Sequence, residues 1–210
     1  MTNPIPSVAS AFRSGVTSYS EVDLARGAAG DPGTELHLTD DGAVLRRSIL
    51  PGGVRVITES VAGLRSASLG MWFGVGSRDE AAGQEGSTHF LEHLMFKGTA
   101  TRSAREIAEA FDFIGGESNA ATAKEHTSYY ARVQGADAMG ALDVLTDMVT
   151  SSSLDPAEVE TERGVIISEL ADAADDPVDV AQEAFARAAF GDDTPLGRPI
   201  GGTYKTVAAV

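Results

Sequence analysis

Residues 89–93 read His-Phe-Leu-Glu-His, and their types and spacing are those of a metal-assisted hydrolytic centre. Two histidines four apart on a helix fall on one face, with Cβ atoms about 5–6 Å apart. Their nitrogens can converge on one divalent ion at roughly 2.0–2.1 Å, a distance that suits zinc. Glu92 shares that face: at 3.6 residues per turn it lies about 60° to one side of His89, with His93 about 40° to the other. The order His-x-x-Glu-His inverts the better-known zinc-enzyme order His-Glu-x-x-His, in which the acid is the general base. Such a pattern can also decorate an ordinary helix surface. Here Phe90, Leu91, Leu94, Met95 and Phe96 make the helix mostly apolar, so three polar groups on it need partners.

Two imidazoles call for a third protein ligand, with the fourth position left open for water. The chain has no cysteine, so that ligand is His, Asp or Glu. His37 and His126 stand alone among polar or strand-like neighbours and read as surface or turn residues. The helical stretch 156–174 offers a better source. With Glu162 at 0° on a helical wheel, Val159, Val165, Ile166 and Leu170 fall within about 80° of it and Glu169 within about 20°. Both carboxylates are thus expected inside the apolar stripe, where a carboxylate wants a metal or a strong donor. Spacing does not decide which of Glu162 and Glu169 is the ligand.

Elements able to position these residues can be read along the chain. Strands are expected near 43–49 and 54–59, joined by a Pro51-Gly52-Gly53 turn, and over 66–75. Helices are expected near 85–97, 103–114, 136–151, 156–174 and 178–190. The first stops at Lys97-Gly98. Ser103 with Glu106 forms a capping box, and Asp155-Pro156 puts a cap before a first-turn proline. Gly115-Gly116 makes a turn into an edge-like strand, 117–123, with a second turn at Lys124-Glu125. Strands and helices in blocks predict an α+β fold, a mixed and mostly antiparallel sheet with helices packed on it.

Three ordered runs carry a resemblance. Residues 86–99 (Gly-Ser-Thr-His-Phe-Leu-Glu-His-Leu-Met-Phe-Lys-Gly-Thr) resemble the zinc helix of the pitrilysin, insulinase and mitochondrial-processing-peptidase family. Residues 115–133 resemble that family's strand pair after the zinc helix, and residues 162–169 its third-ligand helix. The resemblance implies a zinc metalloendopeptidase with one Zn2+ per chain. It implies His89, His93 and Glu169 as ligands, Glu92 as the base that activates water, and a supporting catalytic role for Glu162. The strand carrying Asn119 and Ala120 would hold an extended peptide or unfolded protein substrate through main-chain hydrogen bonds. The family closes two similar halves around a chamber, and this chain matches the first. It is therefore expected to be an N-terminal catalytic, zinc-binding domain over 35–210, cut short at its C-terminal end and needing a second similar domain or subunit. The isolated polypeptide is expected to bind zinc and to show weak or no cleavage. The alternative is a non-catalytic peptide-holding or structural subunit, or an inactive zinc-binding fragment.

Composition bounds the rest. At 210 residues and 42% hydrophobic content the chain can form a globular core. A net charge of −15 argues against a nucleic-acid partner. Twelve Asp and Glu between Asp155 and Asp193 face only Arg163 and Arg187, and read as solvated helix faces. Zero cysteines fit a reducing, cytoplasmic setting. No apolar run is long enough for a membrane span. Residues 1–34, rich in Ser, Gly, Ala and Pro, read as a disordered lead-in.

Overall fold

The computed structural model describes residues 34–38 and 43–210, with side chains from Ala43 onward, so the expected lead-in lies outside the described residues apart from Thr34. Two compact units divide at Leu64/Arg65. The first holds strands β1 (Thr34–Leu38), β2 (Val44–Ile49) and β3 (Arg55–Ser60) in an antiparallel sheet of that order. Its β2–β3 hairpin turns through Pro51-Gly52-Gly53 as expected, with both glycines at positive φ. Strand β1 is absent from the sequence-based reading, because five residues beside a Ser/Gly/Pro-rich stretch offer little periodicity.

The second unit carries the candidate site. Strands β4 (Ser66–Phe73), β5 (Glu117–Thr122) and β6 (Thr127–Gln134) form an antiparallel sheet in the order β4-β6-β5. All strand pairs among the described residues are antiparallel. Alternation along β6 puts Tyr129, Ala131 and Val133 on one face and Tyr130, Arg132 and Gln134 on the other. The first face meets Ile107 and Phe111 of α2 (Ala104–Phe113) and Ala141, Val144, Leu145 and Met148 of α3 (Ala138–Ser151). This α+β arrangement is the fold class expected from the sequence. Leu145 is fully buried in that cluster. Leu145→Ala is expected to cost about 2–5 kcal/mol, readable as a lower midpoint in urea unfolding at unchanged slope.

A smaller cluster sits behind the site. Phe90 and Leu94 of α1 (Ser87–Leu94) pack on Ile166 of α4 (Pro156–Asp175) and Val207 of α6 (Tyr204–Val207). Helix α5 (Pro177–Phe190) follows α4 directly, because Asp176 leaves helical geometry, accepts from the Val178 and Asp179 amides, and precedes Pro177. The expected caps form. Ser103 and Glu106 exchange hydrogen bonds, and Asp155 accepts from the Ala157 amide at 2.7 Å. Helix α1 is shorter than the expected 85–97 span: it ends at Leu94, and the chain turns through 95–97 to Gly98 at φ +120°.

Candidate metal centre

Helix α1 delivers His89, Glu92 and His93 on one face, and α4 crosses it with Glu162 and Glu169. The two imidazoles stand edge-to-face, ring centroids 4.7 Å apart at 76°. Glu169 Oε2 lies 3.4 Å from His93 Nε2 and 4.0 Å from His89 Nε2. Ligands at about 2.0–2.1 Å on a tetrahedral ion are separated by roughly 3.3 Å, so these three atoms are near one coordination sphere. Among the described residues, His89, His93 and Glu169 are the group of metal-binding side chains whose ligand atoms come within 4.8 Å of one another.

The two acids of α4 part company. Glu162 is 2% exposed and turned to the other side of His93, its Oε2 accepting from Nδ1 at 3.0 Å and its Oε1 from the Lys97 ammonium at 2.7 Å. A proton held on Nδ1 leaves the Nε2 lone pair of His93 free toward Glu169. The Glu169 side chain is 47% exposed, at the open end of the cluster. The wheel expected both acids inside the apolar stripe, and Val165 with them. Glu162 and Ile166 are buried there, whereas Glu169 and Val165 are exposed. Deep burial on α4 ends at Ile166, before Glu169, and Val165 within the buried turn is exposed because it points about 60° from Glu162 on the side away from Ile166.

A divalent ion fits this donor set. His89 has no hydrogen-bond partner at either nitrogen: Nδ1 is buried and unpaired, and the nearest acid to Nε2 is Glu169 at 4.0 Å. A cation between Nε2 and Glu169 would engage the Nε2 lone pair, while the buried Nδ1 stays without a partner. Burial lowers the pKa of His89, and the neighbouring His93 acts the same way against Glu92 and Glu169, so the ring favours the neutral form a ligand needs.

Glu92 faces β5. The Thr122 hydroxyl at the end of that strand donates to Glu92 Oε2. Beneath lies Tyr129, whose phenol is pushed up to about 12 by burial, with the charge of Glu92 adding to it, and is therefore neutral. Among the described residues, strand β5 pairs with β6 on one side only and forms an edge of its sheet. Asn119 on it is exposed and accepts the Ala120 N–H at 2.8 Å. His126 lies exposed in the β5–β6 turn, away from the cluster, and His37 is in β1, whose side chains are outside the described residues.

Sequence alone does not reveal the contacts that Lys97 and Thr122 make. Lys97, a helix-end residue by sequence, lies beyond the end of α1, and its ammonium meets Glu162 of α4. Thr122 reaches Glu92 across 30 residues of sequence, and no local pattern announces that. No helix among the described residues is long and apolar enough to cross a membrane.

Comparison with known proteins agrees with this architecture. The family model described as insulinase (peptidase family M16) matches residues 55–204. An uncharacterized zinc protease of Streptomyces coelicolor is 51% identical over 166 residues, covering 79% of this chain and 36% of that protein. The crystal structure of an M16-like peptidase from Alicyclobacillus acidocaldarius superposes with a TM-score of 0.71 at 27% identity, over 80% of this chain and 40% of that one. A peptidase M16 inactive domain from Pseudomonas fluorescens gives the same TM-score at 15% identity, over 79% and 40%, a likeness of fold alone. The chain thus spans little more than a third of the length of the curated relatives it matches.

Proposed function

The chain belongs to the insulinase family, peptidase family M16, and from that premise we propose that it is the zinc-binding, catalytic part of a metalloendopeptidase that hydrolyses extended peptides. The observation that carries this reading is the convergence of His89 Nε2, His93 Nε2 and a Glu169 oxygen, with the Glu92 carboxylate on the same helix face. His89, His93 and Glu169 would hold the ion. When bound, zinc supplies Lewis-acid polarisation of the scissile carbonyl and of the attacking water.

The side chains do the rest. Glu92 takes the proton of the attacking water on its carboxylate and passes it to the leaving amine nitrogen. Thr122 helps to fix that carboxylate by donating to Oε2. Glu162 supports the reaction at one remove, holding the Nδ1 proton of His93 while Lys97 balances its buried charge. Peptide would add to the free edge of β5 at Asn119 and Ala120, where main-chain pairing demands little of side-chain identity. A second similar domain or subunit completes the substrate chamber in this reading, and a cytoplasmic setting goes with the cysteine-free composition. A peptide-holding, non-catalytic role is the alternative; the Thr122-held carboxylate of Glu92 beside the ligand cluster speaks against it.

Metal analysis with a chelator-sensitive peptide assay tests the proposal. The expected result is one zinc per chain, lost to a chelator and regained on adding zinc, with chelator-sensitive cleavage of a quenched-fluorescent peptide in the chain extended to its relatives' length and weak or no cleavage by this chain alone. Stoichiometric zinc without cleavage, in this chain and in the chain extended to its relatives' length, would favour the holding role. No zinc uptake at all would remove the proposal.

A further inference from the structure

Helix α1 begins without a cap of its own. Its N-cap residue is Gly86, in left-handed geometry at φ +92°, with no side chain to accept from the first turn. Glycine is required there because a Cβ would come within 2.5 Å of the Gly201 carbonyl oxygen in the tail that crosses the helix start. Helix starts leave backbone N–H groups unpaired, and one turn is all that separates this start from His89.

The missing acceptor comes from upstream. One carboxylate oxygen of Glu80 accepts the Gly86 N–H at 3.0 Å and the other the Thr88 N–H at 2.7 Å. Glu80 is itself held. The Arg198 guanidinium donates to the Glu80 carbonyl at 3.2 Å and to the Glu85 carboxylate at 2.7 Å, and the Lys124 ammonium donates to the Arg198 carbonyl. A carboxylate at a helix N-terminus is also favoured by the helix dipole. His93, at the other end of α1, has independent support from Glu162; the first turn, with His89 at its third position, has Glu80.

From these contacts we infer that Glu80 is a positioning residue of the metal centre: it caps α1 from outside the helix and thereby fixes the His89 imidazole opposite Glu169. The inference rests on His89 being a ligand. Loss of the cap frays the first turn and takes His89 with it, while the His93–Glu162 pair stays in place.

Zinc affinity is measured by competition with a chromogenic chelator for the unaltered chain, Glu80→Ala and Glu80→Gln, with amide hydrogen exchange at Thr88 and His89 followed in the metal-free samples. Glu80→Ala is expected to weaken zinc binding about tenfold or more, the usual effect of losing an outer support, and to speed exchange in the first turn. Glu80→Gln keeps one acceptor oxygen and is expected to recover part of both. A cap with a merely structural role would lower the unfolding midpoint and leave zinc affinity unchanged, so zinc affinity within twofold of the unaltered chain in folded Glu80→Ala overturns the inference. Should Glu80→Ala not fold, Glu80→Gln decides: threefold or more weakening with faster exchange supports it, and unchanged affinity overturns it. An unaltered chain that takes up no zinc removes the functional reading and this inference together, a result distinct from equal affinities in all three proteins.

Discussion

Glu92→Gln is expected to keep zinc and to lower peptide cleavage by about 10²–10⁴, the span general-base catalysis usually contributes. The substitution is nearly isosteric. Gln retains an oxygen able to accept from the Thr122 hydroxyl, so the side chain stays where β5 holds it. It loses the ability to take a proton at neutral pH. Glu92 is not one of the three side chains whose ligand atoms converge, so metal content is expected to be unchanged. The comparison belongs in whichever form of the protein cleaves a quenched-fluorescent peptide, this chain or the chain extended to its relatives' length. Cleavage by the glutamine variant within a fewfold of the unaltered protein, with zinc equal in both, would take Glu92 out of the proton transfer.

The common face of His89, Glu92 and His93 is legible because helical spacing imposes it. Positions 89, 92 and 93 must share a helix face, and an apolar helix explains why polar groups there need a partner. Caps at Ser103, Asp155 and Asp176 are likewise local, and the first two were readable from residues one to three apart. What escaped is non-local or short. The Thr122–Glu92 and Glu80–Gly86 contacts depend on how β5 and the 77–86 loop are folded against α1, which no window of sequence contains. Strand β1 and the four-residue helix α6 are shorter than a periodicity window. The wheel of α4 made the apolar stripe too wide at Val165 and says nothing of depth: Glu162 and Glu169 differ by about 20° in direction, yet one is sealed under α1 and the other stands at the open end. That difference favours Glu169 over Glu162 for the proposed ligand role, because of the two acids only Glu169 faces both Nε2 atoms.

Glu169→Gln and Glu162→Gln are accordingly expected to separate by their effects on zinc. Binding free energies on the order of 10–16 kcal/mol for protein zinc sites imply about 3–4 kcal/mol or more per ligand. Replacing the anionic Glu169 by a neutral amide is therefore expected to weaken zinc binding by about 10²–10³ or more. Its side chain is half exposed, so the unfolding midpoint of the metal-free protein should hardly move. Glu162→Gln is expected to behave in the opposite proportion. As an outer support of His93 it should cost about 10–100-fold in zinc affinity. It should also destabilise the metal-free fold, because the buried Glu162 carboxylate loses its 2.7 Å ion pair with the part-exposed Lys97 ammonium. Chelator competition and thermal unfolding on the same two variants give four numbers, and the assignment requires them to cross. Tight zinc in Glu169→Gln alongside near-complete loss in Glu162→Gln would exchange the two roles and make the carboxylate beneath His93 the third ligand.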